Sequence, residues 1–155
     1  MMGIVTARLQ AMGLTLPKPV APIANYVPWV RSGSLLFVSG QLPVGASGLE
    51  FAGTVGKTVG IEDAKRAARL AAINVVAQAS AALDGELDRV KRVVKVTGFV
   101  NSGEGFAQHP DVVNGASDLF VEIFGDAGRH ARAAVGSSSL PRNASVEVEA
   151  VFEIA

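Results

Sequence analysis

The chain has 155 residues, 14 Lys and Arg against 14 Asp and Glu, and no cysteine. This length favours one domain with a single core. Zero formal net charge argues against a nucleic-acid partner, because phosphate binding needs clustered Lys and Arg. The absence of cysteine excludes disulfides, a thiolate nucleophile and Cys-type zinc sites.

The N-terminal residues predict a short helix followed by an extended connector. Apolar residues recur there at roughly helical spacing: Ile4, Val5, Leu9 and Met12. Gly13 would end the helix, and prolines at 17, 19 and 22 favour extended backbone. We predict an N-terminal extension over residues 1–22 and a single domain over residues 23–155. No secretory signal or bilayer-spanning run is evident, so we expect a cytoplasmic protein with no membrane partner.

A β-hairpin is predicted next, with strands at residues 26–30 and 35–39. Pro28 lies inside the first of these strands and cannot donate to a ladder, which indicates an edge strand. Six glycines over residues 40–60 indicate a loop, with a short strand near residues 49–52.

Two helices and three strands complete the predicted domain. An alanine-rich helix begins near Glu62 and Asp63, whose negative charges suit a helix N-terminus, and ends before residues 84–85. The remaining elements are a valine-rich strand, a second helix and two strands, at residues 90–100, 111–124, 131–136 and 144–154.

The last strand has a period of two. One alternating set is apolar and is expected to face the core: Val146, Val148, Ala150, Phe152 and Ile154. The other set is mainly acidic and faces the opposite way: Glu147, Glu149, Val151 and Glu153. The element order β-β-α-β-α-β-β predicts an α+β fold, a mostly antiparallel sheet with two helices packed on one face.

Short motifs for phosphate, dinucleotide or metal binding are incomplete. Residues 56–58, Gly-Lys-Thr, have Phe51 where a phosphate loop needs glycine. Residues 103–105 lack the third glycine of a dinucleotide fingerprint. His109 and His130 are not at metal-ligand spacing, and we interpret them as surface or capping histidines. The sequence therefore predicts neither a cofactor nor a metal.

Arg132 differs from these residues because its strand neighbours are small and apolar, and a charge on such a surface needs a partner. One interpretation is an internal salt bridge to a glutamate of the last strand. The other is a guanidinium that grips a ligand carboxylate with two parallel hydrogen bonds. The residues alone do not decide between the two.

Successive segments resemble the signatures of the RidA (YjgF) family of reactive-intermediate deaminases, in the same order along the chain. These segments are residues 25–26, 36–43, 96–101, 132–136 and 140–150. The resemblance implies a chorismate-mutase-like fold and a homotrimer with a ligand site at each subunit interface. Family enzymes hydrolyse enamines and imines such as 2-aminoacrylate, without a cofactor, to a 2-oxo acid and ammonia.

The resemblance also implies roles for individual residues. Arg132 matches the family arginine that binds the substrate carboxylate, and Glu147 matches the glutamate that holds or activates water. Four further residues match positions that line the family pocket: Tyr26, Ser39, Gly40 and Asn101. We therefore expect Arg132 and Glu147 to be catalytic and a small 2-imino or 2-oxo carboxylate to be the ligand.

Departures from the family pattern place the chain near a divergent branch named for endoribonuclease L-PSP. Ala134 stands where the family often has cysteine, and the N-terminal extension is longer than usual. A binding module that holds a carboxylate at Arg132 without turnover is therefore the alternative. An endoribonuclease is disfavoured, since neither basic clustering nor paired histidines are evident.

The low charge content bears on assembly. Only 18% of the residues are charged, against about 25% in ordinary soluble domains. A sheet covered by helices on one face leaves the other face open, and we expect Ala134, Val151, Arg132 and Glu147 to lie on that open face. Burial of this face in a trimer would explain the shortage of charge.

Overall fold

The computed structural model describes residues 1–22 and 24–155. Within them the chain forms three α-helices and seven strands. In chain order these are α1 (Ile4–Ala11), β1 (Trp29–Ser32), β2 (Leu35–Gln41), β3 (Val44–Gly45), β4 (Gly48–Leu49), α2 (Ile61–Ala82), β5 (Val90–Asn101), α3 (His109–Phe124), β6 (Ala131–Ser137) and β7 (Val146–Ile154). The predicted α+β fold is confirmed.

The main sheet has five strands in the order β1-β2-β7-β5-β6. All neighbours pair antiparallel except β5 and β6, which are parallel. A parallel pair needs a crossover connection, and α3 supplies it between these two strands. β1 and β6 therefore form the two edges of the sheet, and the edge position predicted from Pro28 is confirmed for β1.

Two predicted strand positions differ from the structure. The first strand begins at Trp29 and runs to Ser32, because Pro28 precedes the ladder instead of lying within it. The short strand expected near residues 49–52 is replaced by a small separate hairpin of β3 and β4. β4 begins directly after the turn, at Gly48, whose φ of 109° suits glycine.

Helices α2 and α3 cover one face of the sheet and also pack against each other. The buried surface of α2 is rich in alanine: Ala64, Ala67, Ala68, Ala71 and Ala72 are fully covered. Small side chains let the backbones approach closely. A Cβ on Gly115 of α3 would collide with the Lys65 carbonyl of α2, so the contact requires glycine. We call this side of the sheet the helix face.

Helix α1 packs on α3 and ends as predicted, with Gly13 at a φ of 65°. Its Val5 and Leu9 side chains are buried. The first turn is capped from a distant part of the chain, since the Asp88 carboxylate accepts hydrogen bonds from the backbone N–H groups of Ile4 (3.1 Å) and Val5 (2.9 Å). The predicted boundary between extension and domain falls at Ile23, which lies outside the described residues.

The alternation predicted for β7 is confirmed. Its apolar set is buried against the helices, and its acidic set lies on the opposite side of the sheet. We call that side the open face, because no helix packs on it in the described chain. Apolar residues are exposed there: Val30 is 51% exposed, Phe37 44% and Val135 43%. Among the helices in the described residues, none is long and apolar enough to cross a membrane.

Candidate functional site

Arg132 lies on β6 at the edge of the sheet. In the parallel ladder it pairs with Val96 of β5, which is fully buried on the helix face, and paired residues point to the same face. Arg132 and Ala134 therefore point towards α3, and their predicted place on the open face is wrong. Most side chains on both faces of β6 are small and apolar, so the sequence pattern does not reveal which face of the strand packs against the helices.

Side chains of α3 hold the Arg132 guanidinium. Nη1 donates to Asn114 Oδ1 at 2.7 Å and to Ser117 Oγ at 3.1 Å. Of the two interpretations of Arg132, the salt bridge to a glutamate of the last strand is wrong for the described part of the chain, because β5 separates β6 from β7. Nε and Nη2 take no part in the hydrogen bonds between described residues. This edge of the guanidinium has the two-pronged geometry that suits a carboxylate.

His130 extends the same polar network. Its Nδ1 lies 2.7 Å from the Gly128 carbonyl, which can only accept, so Nδ1 carries the proton. Nε2 of the neutral ring then accepts from the Ser117 hydroxyl at 2.9 Å. Burial lowers the pKa of His130, and the nearby positive charge of Arg132 lowers it further, against the opposing effect of the Gly128 hydrogen bond. The neutral ring thus orients Ser117 towards Arg132.

Sequence reasoning missed this network. Asn114 and Ser117 are three residues apart on α3, which places them on one helix face, but only the β5-α3-β6 crossover brings that face to Arg132. His130 is not simply a surface or capping residue, because it packs edge-on against Phe120 and bonds to Ser117. The available signal in the sequence was the spacing of Asn114 and Ser117, two polar residues on one helix face, in the helix that precedes the strand of Arg132.

Glu147 lies on β7 and points to the open face. Its carboxylate contacts Gly40 of β2, where a Cβ would collide with Oε1. Burial raises the pKa of Glu147, and repulsion from the Glu149 carboxylate adds to the rise. A half-buried carboxyl with a raised pKa can exchange a proton nearer to neutral pH than an ordinary glutamate, which suits a general acid or base.

A cavity of about 90 Å³, which we call the β2 pocket, adjoins Gly40. Part of its lining comes from β2 and the segment before it, and part from a turn near β7: Tyr26, Pro28, Ser39, Gly40, Gln41 and Arg142. The Ser39 hydroxyl donates to the Pro28 carbonyl at 3.0 Å, which fixes this side chain. Tyr26, Ser39 and Gly40 therefore line one pocket, and Glu147 adjoins it through its contact with Gly40 without being part of the lining. The binding and catalytic roles that the resemblance implies for these residues stay predictions.

Asn101 lies at the end of β5 and is only 1% exposed. Its Nδ2 donates to the Ala144 carbonyl at 3.0 Å and to Asn143 Oδ1 at 3.4 Å. These bonds hold the turn Pro141–Asn143, which carries Arg142. Asn101 is not among the residues that line the β2 pocket. The structure thus places it behind the pocket, where it supports the turn.

The two residues predicted to be catalytic are far apart within one chain. Glu147 pairs with Phe99 of β5, and Phe99 pairs with Val135 of β6. Glu147 is therefore two strands away from β6, a distance of about 10 Å. Arg132 lies three residues further along β6, about 10 Å away, and on the opposite face. A single chain therefore holds the two halves of the expected site separately.

The histidines are also separated. His109 lies against Gly136 at one end of β6, and His130 immediately precedes the other end, about 20 Å away at the rise of a strand. They cannot act as a pair on one substrate within a chain. No cluster of three or more metal-ligating side chains occurs in residues 1–22 and 24–155.

The fold and the sequence segments that resemble the RidA (YjgF) family define a YjgF-like protein. Comparison with known proteins supports this class. The family model "YjgF/chorismate_mutase-like, putative endoribonuclease" matches residues 6–154. Protein TCP17 of Trypanosoma cruzi is 50% identical over 153 residues, which cover 98% of this chain and 95% of that protein.

Solved structures show the same fold. The protein Atu1372 from Agrobacterium tumefaciens is 49% identical, with a TM-score of 0.91 over 97% of this chain and 92% of that one. The YjgF gene product of E. coli is 30% identical, with a TM-score of 0.63 over 90% and 94% of the two chains. The chain belongs to the YjgF/chorismate-mutase-like family, and its resemblance to RidA proteins is confirmed.

Proposed function

We propose that the protein is a deaminase that hydrolyses enamines and imines of the 2-aminoacrylate type to 2-oxo acids and ammonia. Arg132 carries the proposal: it is a fixed guanidinium with no carboxylate partner in the described chain, and its Nε and Nη2 edge is free to bind one. A small 2-imino or 2-oxo carboxylate would satisfy it. No cofactor is needed, because an imine carbon is already electrophilic.

Glu147 supplies the proton transfers. A water molecule adds to the imine carbon while Glu147 accepts its proton, and the same carboxyl then protonates the nitrogen. The resulting carbinolamine expels ammonia as its hydroxyl becomes the carbonyl of the 2-oxo acid. An enamine first takes a proton on its β-carbon and loses one from its nitrogen, which converts it to the imine. Because its pKa is raised, Glu147 is suited both to accept the proton from water and to donate it to the nitrogen.

We propose further that the complete site forms between copies of the chain in a homotrimer. Arg132 of one copy would meet Glu147, Tyr26, Ser39 and Gly40 of its neighbour, because one chain keeps them on opposite faces. The exposed apolar residues of the open face and the low charge content support burial of that face in an assembly.

The test uses a mixture of a pyridoxal-phosphate dehydratase and serine, which releases 2-aminoacrylate. We expect the purified protein to accelerate the decay of imine absorbance and Arg132→Lys to lose most of the effect, since lysine keeps the charge without the two-pronged geometry. A rate equal to that in buffer, with carboxylate binding still measurable by calorimetry, would reject the deaminase and favour a binding module.

A further inference from the structure

The β2 pocket is bordered by an arginine that the proposed reaction does not use. Arg142 lines this pocket beside Tyr26, Ser39 and Gly40, and none of the lining residues in the described chain is acidic. Arg142 takes part in none of the ion pairs between described residues. A guanidinium bordering a concave and largely apolar pocket is suited to an anionic ligand group.

The other polar groups of the β2 pocket are largely occupied by bonds within the protein. Ser39 Oγ donates to the Pro28 carbonyl, and Gln41 Nε2 donates to the Ser39 carbonyl at 3.2 Å. The Tyr26 hydroxyl and the Arg142 guanidinium make no hydrogen bond with any described residue. The pocket therefore offers one charged donor and one neutral donor, a combination that a carboxylate can satisfy.

The turn that presents Arg142 is held in an unusual backbone conformation. Arg142 and Asn143 both have a φ of 59°, in the left-handed region that disfavours most side chains other than glycine. The turn is tied down by the Asn101 amide and by a bond from the Gly53 N–H to the Asn143 carbonyl at 2.8 Å. Glycine would fit this backbone better, so an arginine at this position carries a conformational cost.

The N-terminal extension forms part of the wall of the β2 pocket. Val20, Ala21 and Pro22 belong to its lining, and the Val20 carbonyl accepts a hydrogen bond from Gln78 Nε2 of α2 at 2.8 Å. Gln78 is only 1% exposed, so this tie is shielded from water. The N-terminal extension thus gives the pocket an apolar wall that limits the size of a bound group.

We propose that Arg142 binds a second anionic group of the substrate, which makes 2-imino dicarboxylates, the imines of acidic amino acids, the preferred class. This inference rests on the proposed function. Gly40 contacts the Glu147 carboxylate and also lines the β2 pocket, so a substrate reacting at Glu147 would extend its side chain towards Arg142. Arg132 would hold the carboxylate next to the imine, and Arg142 the distal one.

Calorimetry with two product analogues of equal chain length tests this assignment. 2-Oxoglutarate ends in a carboxylate, and 2-oxovalerate ends in a methyl group. We expect the unmodified protein to prefer 2-oxoglutarate. Arg142→Ala should weaken 2-oxoglutarate binding about tenfold to a hundredfold and 2-oxovalerate binding less than about threefold. Arg142→Gly should show the same selective loss with an equal or higher melting temperature, because glycine relieves the left-handed backbone.

Arg66→Ala is the matched control, since Arg66 is an exposed arginine of α2 paired with Asp63, away from the β2 pocket. It removes the same charge and should leave both affinities unchanged. Equal affinity of the unmodified protein for the two ligands would overturn the proposal, as would an equal loss of both in Arg142→Ala. Absence of imine hydrolysis would reject the deaminase alone, because the ratio of affinities is measured without turnover.

Discussion

The two halves of the candidate site are held in place by different means. Arg132 lies on an edge strand, and a hydrogen-bonded network from α3 fixes one side of its guanidinium while the other side stays free. Glu147 lies on an inner strand, pressed against Gly40, where burial raises its pKa. In the proposed reaction, the fixed geometry of Arg132 would therefore serve substrate binding, and the desolvation of Glu147 would serve proton transfer. Substitutions in the two halves should consequently change different kinetic parameters.

The largest effect is expected from Glu147→Gln. The amide cannot exchange the proton, so kcat should fall by about 100-fold to 10,000-fold while the affinity for a 2-oxo acid changes little. Steady-state kinetics with an enamine source and calorimetry measure the two quantities. Glu153→Gln, on the same strand and face but six residues away, is the control and should retain full activity. Retained turnover in Glu147→Gln would remove this residue from the mechanism.

Arg132→Lys should give the next largest effect, on binding. The loss of the two-pronged contact should lower kcat/KM about tenfold to a hundredfold, mainly through KM. Titration with a 2-oxo acid should show the same loss of affinity. An unchanged KM would show that this guanidinium does not bind the carboxylate.

Asn114→Ala should have a smaller effect of the same kind. Asn114 touches no substrate in this scheme and positions Arg132 through the 2.7 Å hydrogen bond. We expect KM to rise about threefold to tenfold with kcat unchanged, because one anchor of the guanidinium is lost. Glu122→Ala, an exposed polar residue of the same helix, is the control. A fall in kcat without a change in KM would contradict a positioning role.

The smallest effect concerns stability and pH. The folded state raises the pKa of Glu147, so it holds this proton more tightly than the unfolded chain does. The resulting stabilisation is present below the unfolded pKa of about 4.3 and is lost as pH rises through the folded value. Glu147→Gln should therefore be more stable than the unmodified protein near pH 7, and the difference should shrink towards pH 4. Urea unfolding of both proteins at the same protomer concentration measures this difference in the free energy of unfolding. A difference that grows towards acid would contradict the burial of this carboxyl.

Sequence patterns predicted most of the fold because its periodicities are clear. The alternation in β7 and the alanine surface of α2 each allow one arrangement, and the structure has both. The strand containing Arg132 is different, since small apolar residues occupy both of its faces. Only its pairing with β5 shows that Arg132 points towards α3.

The site was predicted in parts for a related reason. Motifs in chain order single out Tyr26, Ser39 and Gly40, which line one pocket, and Glu147, which touches that pocket only through Gly40. Arg142 was not singled out, because neither its charge nor its surroundings in the sequence reveal a left-handed turn beside a pocket. Contacts between distant segments create such features, and local patterns do not contain them.

The most direct test of a site shared between subunits mixes two inactive proteins. Arg132→Ala and Glu147→Gln each remove one half of every site, so neither protein should be active alone. If the protein is the homotrimer we propose, unfolding and refolding them together in equal amounts should produce mixed trimers. If Arg132 of one chain works with Glu147 of the next, about a quarter of the sites regain both residues, and activity should return to about a quarter of the unmodified level. Mixed trimers without recovered activity would contradict a shared site.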